Sequence, residues 1–246
     1  MPFTPFSRPS FGQPPAIHLG WVILLCAAWA LFGLIGHDPW KPDEAYSFGL
    51  VYSILQAHDW VVPMLAGEPF MGKPPLYYLT AAGFASLFSG WLPLHDGARL
   101  ASGFYVGLTL FFSGLTAREL WGKGYGRLTA LILIACLGLL VRTHQLVSDT
   151  ALLSGFTIAF YGFALTPRRV LLGGIAIGTG AGIGFMADGL LAPGSVAITA
   201  LLLPLASPTW RTRQYFIALT IAFIVAFLLS LAGCYYIAIL FSSPGF

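Results

Sequence analysis

Charged side chains are scarce in this sequence, which has 12 lysines and arginines and 9 aspartates and glutamates among 246 residues, or 9% of the chain. A soluble domain carries about 25% charged residues. So few charges cannot cover the surface of a globule of this size, which excludes a soluble enzyme, a disordered chain and a basic nucleic-acid-binding protein. The mean hydropathy of +0.82 agrees. The remaining class is an all-α polytopic membrane protein, because helices satisfy their own backbone hydrogen bonds in lipid.

Cysteine and histidine are also rare, with three and five residues. Cys26, Cys136 and Cys234 lie in apolar runs without metal-ligand spacing, and the histidines form no H-x-x-x-H pair. We therefore expect neither a disulfide framework nor a zinc site. The glycine-rich run 173–184 could be mistaken for a nucleotide-binding fingerprint. It lies in an apolar stretch without a preceding strand, so it favours close packing of helices instead.

Long apolar runs, in contrast, follow one another along most of the chain. Residues 1–16 are rich in Pro, Ser and Phe and are predicted to form a cytoplasmic tail, whereas 17–36 is predicted to be an uncleaved first membrane span. Further apolar runs, cut at charges and Pro/Gly clusters, lie at 74–92, 98–117, 128–147, 151–166, 170–187, 189–206 and 215–241. These runs predict one membrane domain over 17–246.

The distribution of lysine and arginine predicts which ends of the spans face the cytoplasm. The first loop, 37–97, is rich in acidic residues and is predicted to be external. The later basic clusters are all cytoplasmic only if 74–92 does not cross the membrane. These clusters contain Arg118, Lys123, Arg127, Arg168, Arg169, Arg211 and Arg213. We therefore predict about seven spans, with 74–92 as a re-entrant or interfacial helix of the first external loop.

Eight of the nine acidic residues fall on the external face in this topology, and four of them are candidates for chemistry: Asp43, Glu44, Asp149 and Asp188. Asp43 and Glu44 follow Pro42, which is typical of a helix start, where the helix dipole favours carboxylates. A general base or a cation ligand at the membrane surface is the alternative. Asp149 either belongs to a cap of the next helix or is a functional carboxylate between two spans. Asp188 fits a polar turn between two spans.

Three of the four basic residues on the external side are candidate partners of these carboxylates or of a phosphate. Lys73 precedes two prolines that hold it on a stiff, extended stem, so it either snorkels to the lipid–water boundary or binds a lipid phosphate. Arg142 lies about two turns before Asp149 and could face that carboxylate or a phosphate. Arg99 opens the second span and is a candidate partner for an external carboxylate.

The order of these residues resembles one known family of membrane enzymes. The shared motifs are Asp43-Glu44-Ala45, Glu68-Pro69-Phe70 and Lys73-Pro74-Pro75-Leu76-Tyr77-Tyr78, with weaker matches around Asp149 and Asp188. Over about residues 20–240 the sequence is similar to the bacterial GT-C glycosyltransferases, specifically those like the lipid A aminoarabinose transferase and the protein O-mannosyltransferases. That family commonly carries Lys near the position of Asp188. It usually extends well beyond this length, so the chain resembles its N-terminal half.

The resemblance implies an enzyme that moves a sugar from a polyprenyl-phosphate carrier to an acceptor lipid, protein or polysaccharide at the outer face of the bacterial cytoplasmic (inner) membrane. It implies that Asp43 is the general base, and Glu44 and Asp149 complete the expected catalytic set. The expected contacts to the lipid phosphate or substrate are Lys73, Arg99, Arg142, Tyr77 and Asp188. The sequence assigns no definite cofactor, and the paired external carboxylates could hold Mg²⁺ or Mn²⁺.

Two other functions stay open at this point. One is a catalytically inactive, shortened relative that acts as a membrane subunit, and it would have no transfer activity for an Asp43→Ala change to abolish. The other is a small-solute transporter. No apolar run holds an ionisable residue near its middle, and no inverted repeat is visible, which disfavours a transporter.

Overall fold

The computed structural model describes residues 17–40, 42–57, 60, 63–65, 67–70 and 72–242, with only the backbone for 232–242. The predicted tail 1–16 and the side chain of Cys234 lie outside the described residues, and Cys26 and Cys136 are free thiols. The described helices and strands are α1 (Leu19–Leu31), α2 (Asp43–Ala57), β1 (Met64–Leu65), β2 (Glu68–Pro69), α3 (Leu76–Phe88), α4 (Leu94–Trp121), α5 (Tyr125–Ile134), α6 (Leu137–Arg142), α7 (Asp149–Leu165), α8 (Val170–Asp188), α9 (Leu191–Ala206) and α10 (Arg213–Ser242). The strands pair as a short antiparallel ribbon, and a single 3₁₀ turn precedes α10.

Three helices in the described part of the chain are long and apolar enough to cross a membrane: α4, α8 and the segment Arg213–Leu231 of α10. Crossing the hydrocarbon core takes about 20 apolar residues. The helices α1, α3, α5, α7 and α9 are apolar but have only 10–17 residues. The chain is therefore an all-α polytopic membrane protein, as predicted, whereas the number of seven spans stays a prediction.

Contacts between helix ends show which loops lie together. Near the end of α4, Glu119 pairs with Arg168 at 2.8 Å, and Arg127 donates to the backbone carbonyl two residues before α1. At the other end of α4, the N–H of Gly36 donates to Asp96 at 3.1 Å. We call the end of the helices near Glu119 and Arg168 the arginine end. The end near Gly36 and Asp96 also carries Asp43, Asp149 and Asp188, and we call it the carboxylate end. The predicted cytoplasmic and external groups thus separate along the helices.

The helix α3 packs antiparallel against the first half of α4. The hydroxyls of Tyr77 and Ser102 share a 2.6 Å hydrogen bond, and a Cβ on Gly97 would lie 3.0 Å from the Cα of Ala85. A helix of 13 residues is about 20 Å long, which is too short to cross the hydrocarbon core. This length suits the interfacial or re-entrant helix predicted for 74–92, and its position relative to a membrane stays a prediction.

Glycines let the backbones of α7 and α8 approach closely. A Cβ added to Gly155 would lie 2.7 Å from the carbonyl oxygen of Gly180, and one added to Gly162 would lie 2.5 Å from the backbone nitrogen of Ile177. Such distances leave no room for a side chain. The glycine-rich run 173–184 therefore belongs to a packed helix, as predicted from its apolar setting.

Candidate active site

A cavity of about 530 Å³ opens at the carboxylate end of the helices. Its walls come from the start of α2, the loop before α3, α3 itself and the segment that joins α6 to α7. The lining residues are Pro42, Asp43, Tyr46, Ser47, Phe70, Gly72, Lys73, Tyr78, Arg142, Val147, Ser148 and Asp149. Four of the predicted site residues, which are far apart in the sequence, thus meet at one cavity: Asp43, Lys73, Arg142 and Asp149.

Lys73 lies at the centre of a small ionic cluster. Its Nζ is 2.8 Å from Oδ1 of Asp188, 3.0 Å from Oγ of Ser148 and 3.5 Å from Oδ1 of Asp149. Burial alone lowers the pKa of the Lys73 ammonium, but Asp188 and Asp149 outweigh this effect and raise the pKa above its ordinary value. The side chain therefore carries a positive charge at neutral pH and is held by three protein groups although it is partly exposed, which disfavours the snorkelling interpretation.

Asp43 begins α2 and lines the same cavity. Its Oδ2 lies 3.3 Å from a terminal nitrogen of Arg142, and both side chains are more than half exposed. Arg142 therefore faces Asp43 and not Asp149, which was the alternative from the sequence. An ion pair this exposed contributes about 0–1 kcal/mol, so it opposes substrate entry only weakly. The Asp43 carboxylate is accessible to a hydroxyl group that needs a base.

Glu44, in contrast, is buried beneath the cavity. Its Oε1 accepts hydrogen bonds from Nε of Arg99 (2.9 Å) and the N–H of Leu146 (2.7 Å), and its Oε2 accepts one from the N–H of Trp40 (2.8 Å). Burial alone raises the pKa of this carboxyl group, but the bonds from Trp40, Arg99 and Leu146 outweigh it and hold the pKa below its ordinary value. Glu44 thus joins the start of α2 to α4 and to the segment before Asp149.

Arg99 completes this buried network. One terminal nitrogen donates to Oδ1 of Asp96 (2.8 Å) and to the carbonyl of His37 (2.7 Å), while the other has no partner among the described residues. The sequence suggested Arg99 as a partner for an external carboxylate, and the structure pairs it with Glu44 and Asp96, whereas their position outside the membrane stays a prediction. Two carboxylates and one guanidinium therefore fix the loop after α1 to the first turn of α4.

The structure corrects one expected catalytic residue, Glu44, and two expected substrate contacts, Arg99 and Tyr77. Glu44 and Arg99 are 1% and 0% exposed, because each is the other's partner, so neither reaches the cavity. Tyr77 is also 0% exposed, and its neighbour Tyr78 lines the cavity instead. Successive helical residues point about 100° apart, so the turn of α3 that presents Tyr78 to the cavity buries Tyr77 on another face of the helix. Asp188, also an expected contact, does not line the cavity and is linked to it by its ion pair with Lys73.

Eight of the twelve lining residues were not predicted as site residues, and three of these carry hydroxyl groups on α2 and α3: Tyr46, Ser47 and Tyr78. Tyr46 and Ser47 follow Asp43 by three and four positions, and this helical spacing was the signal that could have found them. Burial raises the pKa of Tyr78 to about 12, which keeps its hydroxyl protonated and able to donate a hydrogen bond. The rings of Tyr46 and Tyr78 lie 5.3 and 6.0 Å from that of Phe70. Together they form an aromatic wall beside the ionic cluster.

A divalent cation is not favoured by the donor set at the cavity. Within the part of the chain that the structure describes, no three His, Cys, Asp or Glu side chains lie close enough together to hold a metal ion. Asp149 and Asp188 already surround the ammonium of Lys73. Binding of Mg²⁺ or Mn²⁺ stays a prediction, and it would require oxygen ligands from a substrate phosphate.

No family model matches the chain. The chain is 29% identical over 227 residues to the undecaprenyl phosphate-alpha-4-amino-4-deoxy-L-arabinose arabinosyl transferase of Serratia proteamaculans, a match that covers 88% of this chain and 40% of that protein. It is 30% identical over 219 residues to the protein of the same name from Pectobacterium atrosepticum, covering 85% of this chain and 38% of the relative. The chain thus spans less than half the length of these relatives.

Solved structures show the same fold. The crystal structure of ArnT from Cupriavidus metallidurans bound to undecaprenyl phosphate matches with a TM-score of 0.71 at 20% identity, over 89% of this chain and 43% of that one. Its apo state matches with a TM-score of 0.69, over 92% and 45%. The resemblance inferred from the Asp-Glu-Ala and Lys-Pro-Pro motifs is confirmed: the chain is related in sequence and fold to the N-terminal region of the undecaprenyl phosphate-aminoarabinose transferases.

Proposed function

We propose that the protein transfers an amino sugar from undecaprenyl phosphate to a lipid A-type acceptor at the periplasmic face of the bacterial inner membrane. The observation that carries this proposal is the cavity, which is lined both by an accessible carboxylate, Asp43, and by the ammonium-bearing side chain of Lys73. Transfer from a lipid phosphate needs both groups, because a hydroxyl must lose a proton while a phosphate gains charge. The names of the relatives supply the donor class.

The chemistry assigned to the cavity is a single displacement at the anomeric carbon of the sugar. Asp43 accepts the proton of the acceptor hydroxyl, whose oxygen forms the new bond to the anomeric carbon. The bond from that carbon to the phosphate oxygen breaks, and undecaprenyl phosphate leaves with the electron pair. Lys73 and Arg142 are the cations of the lining that can stabilise the charge on the departing phosphate.

The aromatic wall suits the less polar parts of the substrates. Tyr46, Phe70 and Tyr78 stand edge to face beside the ionic cluster and present ring surface to the cavity. Such rings offer apolar contact area to the C–H groups of a sugar or the first isoprene units of the carrier. The hydroxyl of Tyr78 is an additional donor for the phosphate.

Replacement of Lys73 tests the phosphate-binding role directly. Losing one charge-assisted hydrogen bond costs about 1.5–3 kcal/mol, and the partial exposure of this side chain argues for the lower part of that range. We therefore expect Lys73→Ala to weaken binding of undecaprenyl phosphate by about tenfold, with Lys73→Arg retaining part of the affinity. Binding to the purified protein in detergent is the measurement.

The matched control is Lys123→Ala, which removes an exposed lysine at the arginine end. That change should leave the affinity unaltered. Equal affinities of the wild type and Lys73→Ala would contradict the assignment and restore the snorkelling interpretation.

The proposed orientation predicts which loops can be labelled from outside the cell. Ser89 follows α3 and should react with a membrane-impermeant thiol reagent when changed to cysteine, whereas Lys123→Cys should not. Both variants are made after replacement of the three native cysteines by serine. Labelling of Lys123→Cys in intact cells would place the cavity on the wrong side of the membrane for a periplasmic transferase.

A further inference from the structure

The ammonium of Lys73 is already saturated by groups of the protein. A lysine ammonium has three donors, and three acceptor oxygens, from Asp188, Ser148 and Asp149, lie within 3.5 Å of it. The contact with Asp188 is the shortest at 2.8 Å. A phosphate that binds Lys73 must therefore replace at least one of these partners or share the cation with them.

Asp188 differs from the other two partners in where it lies. Ser148 and Asp149 belong to the cavity lining, whereas Asp188, the last residue of α8, is not part of that lining and pairs with Lys73 through a side chain that is 22% exposed. A carboxylate in the last turn of a helix is repelled by the negative end of the helix dipole. The ion pair with Lys73 at 2.8 Å offsets this repulsion.

The summed charge of the ionisable side chains at the site does not favour binding of an anion. Lys73 and Arg142 contribute two positive charges, whereas Asp43, Asp149 and Asp188 contribute three negative charges. The neutral phenol of Tyr78 adds none. An entering phosphate therefore meets a site with a net charge of −1 (2 − 3), in which the main cation is neutralised by its neighbours.

We propose that Asp188 is the internal counter-anion of Lys73 and that its competition with the carrier phosphate limits how tightly the site holds undecaprenyl phosphate. This inference rests on the proposed function and assigns a specificity-determining role to Asp188. The leaving undecaprenyl phosphate is a monoester with about one more negative charge than the diester donor at neutral pH. Competition by Asp188 therefore acts most strongly on the product and favours its release.

The test is the affinity for undecaprenyl phosphate of Asp188→Asn, which keeps the shape and an acceptor oxygen but removes the charge. We expect binding about tenfold tighter than wild type, because Lys73 then attracts the phosphate without a competing carboxylate. Product inhibition by undecaprenyl phosphate should strengthen by a similar factor. Undecaprenol, which has the same tail but no phosphate, should bind the two proteins equally.

Two matched variants separate a local effect from a general change in charge. Asp38→Asn removes an exposed carboxylate at the same end of the helices outside the cavity lining and should not tighten binding. In a Lys73→Ala background, Asp188→Asn should not increase the affinity for undecaprenyl phosphate, because the ammonium that Asp188 neutralises is absent. A second substitution of the same residue, Asp188→Ser, also removes the charge and should likewise tighten binding of undecaprenyl phosphate.

The outcomes separate this inference from the proposed function. If the wild type binds undecaprenyl phosphate through Lys73 and both variants of Asp188 bind it equally or more weakly, then Asp188 only positions Lys73 and the inference is overturned. If the wild type shows no Lys73-dependent binding of undecaprenyl phosphate, the proposed function itself is overturned. A gain of affinity that persists in the Lys73→Ala background also contradicts the role of Asp188 as counter-anion.

Discussion

Asp43→Asn is expected to lower turnover by a factor of about 10²–10⁴, the usual contribution of a general base, while binding of undecaprenyl phosphate changes little. Asn is close in shape to Asp and also suits the start of a helix, so α2 should form as before. The exposed ion pair with Arg142 is lost at a cost of about 0–1 kcal/mol. The change therefore removes the proton acceptor with little effect on the fold.

The measurement is the rate of sugar transfer at saturating donor, with thermal unfolding as the check on folding. Asp38→Asn is the matched control, because it makes the same substitution at an exposed position outside the cavity lining, and it should keep the wild-type rate. Near-wild-type turnover by Asp43→Asn would show that another group is the base. No transfer by a folded wild-type protein would favour the inactive membrane subunit that the sequence left open.

Arg99→Ala is expected to lower the free energy of unfolding by about 3–5 kcal/mol, the usual result of removing one partner of a buried ion pair. Arg99 is fully buried and contacts both Glu44 and Asp96 within 3 Å, so its truncation leaves two buried carboxylates without their cation. Thermal and denaturant unfolding in detergent measure the loss. The matched control is Arg118→Ala, an exposed arginine of the same helix, which should cost less than about 1 kcal/mol.

Comparing the wild type with Glu44→Gln shows how the contribution of this buried network to the free energy of unfolding depends on pH. The folded-state pKa of Glu44 is lowered, so its charge adds stability that is complete above the pKa of the unfolded chain and is lost as the pH falls through the lowered folded-state value. The stability advantage of the wild type over Glu44→Gln should therefore be constant near neutral pH and shrink in acid. An advantage that grows in acid would contradict the ionised, hydrogen-bonded carboxylate described here.

The helices were predictable to the extent that apolar runs reveal them. The end of α1 carried a local signal, because Gly33 and Gly36 have φ values of 93° and 95°, a backbone region in which glycine is favoured. No local sequence signal marked the break of the predicted span 128–147 into the two helices α5 and α6. Its linking residues Ala135 and Cys136 are as compatible with a helix as their neighbours, so only packing against other helices decides where the helix ends.

The site was predictable as a set of residues but not as a set of contacts. Motif order and charge distribution placed Asp43, Lys73 and Asp149 on one face, and the structure brings them to one cavity. Which of two adjacent residues faces that cavity depends on helix rotation. That rotation buries Tyr77 and exposes Tyr78 to the cavity, and it is set by tertiary packing that one sequence does not show.

The central claim is that the cavity catalyses transfer from the carrier phosphate with Asp43 as the base and Lys73 as the phosphate contact. The most direct measurement follows a labelled amino sugar from its undecaprenyl-phosphate donor in membranes that contain the protein and lack any other transferase of this kind. The expected result is time-dependent appearance of the label in lipid A with release of undecaprenyl phosphate, strongly reduced by Asp43→Asn. Label that stays on the donor in the presence of folded, membrane-inserted protein, or transfer that the double variant Asp43→Asn/Lys73→Ala does not reduce, would contradict it.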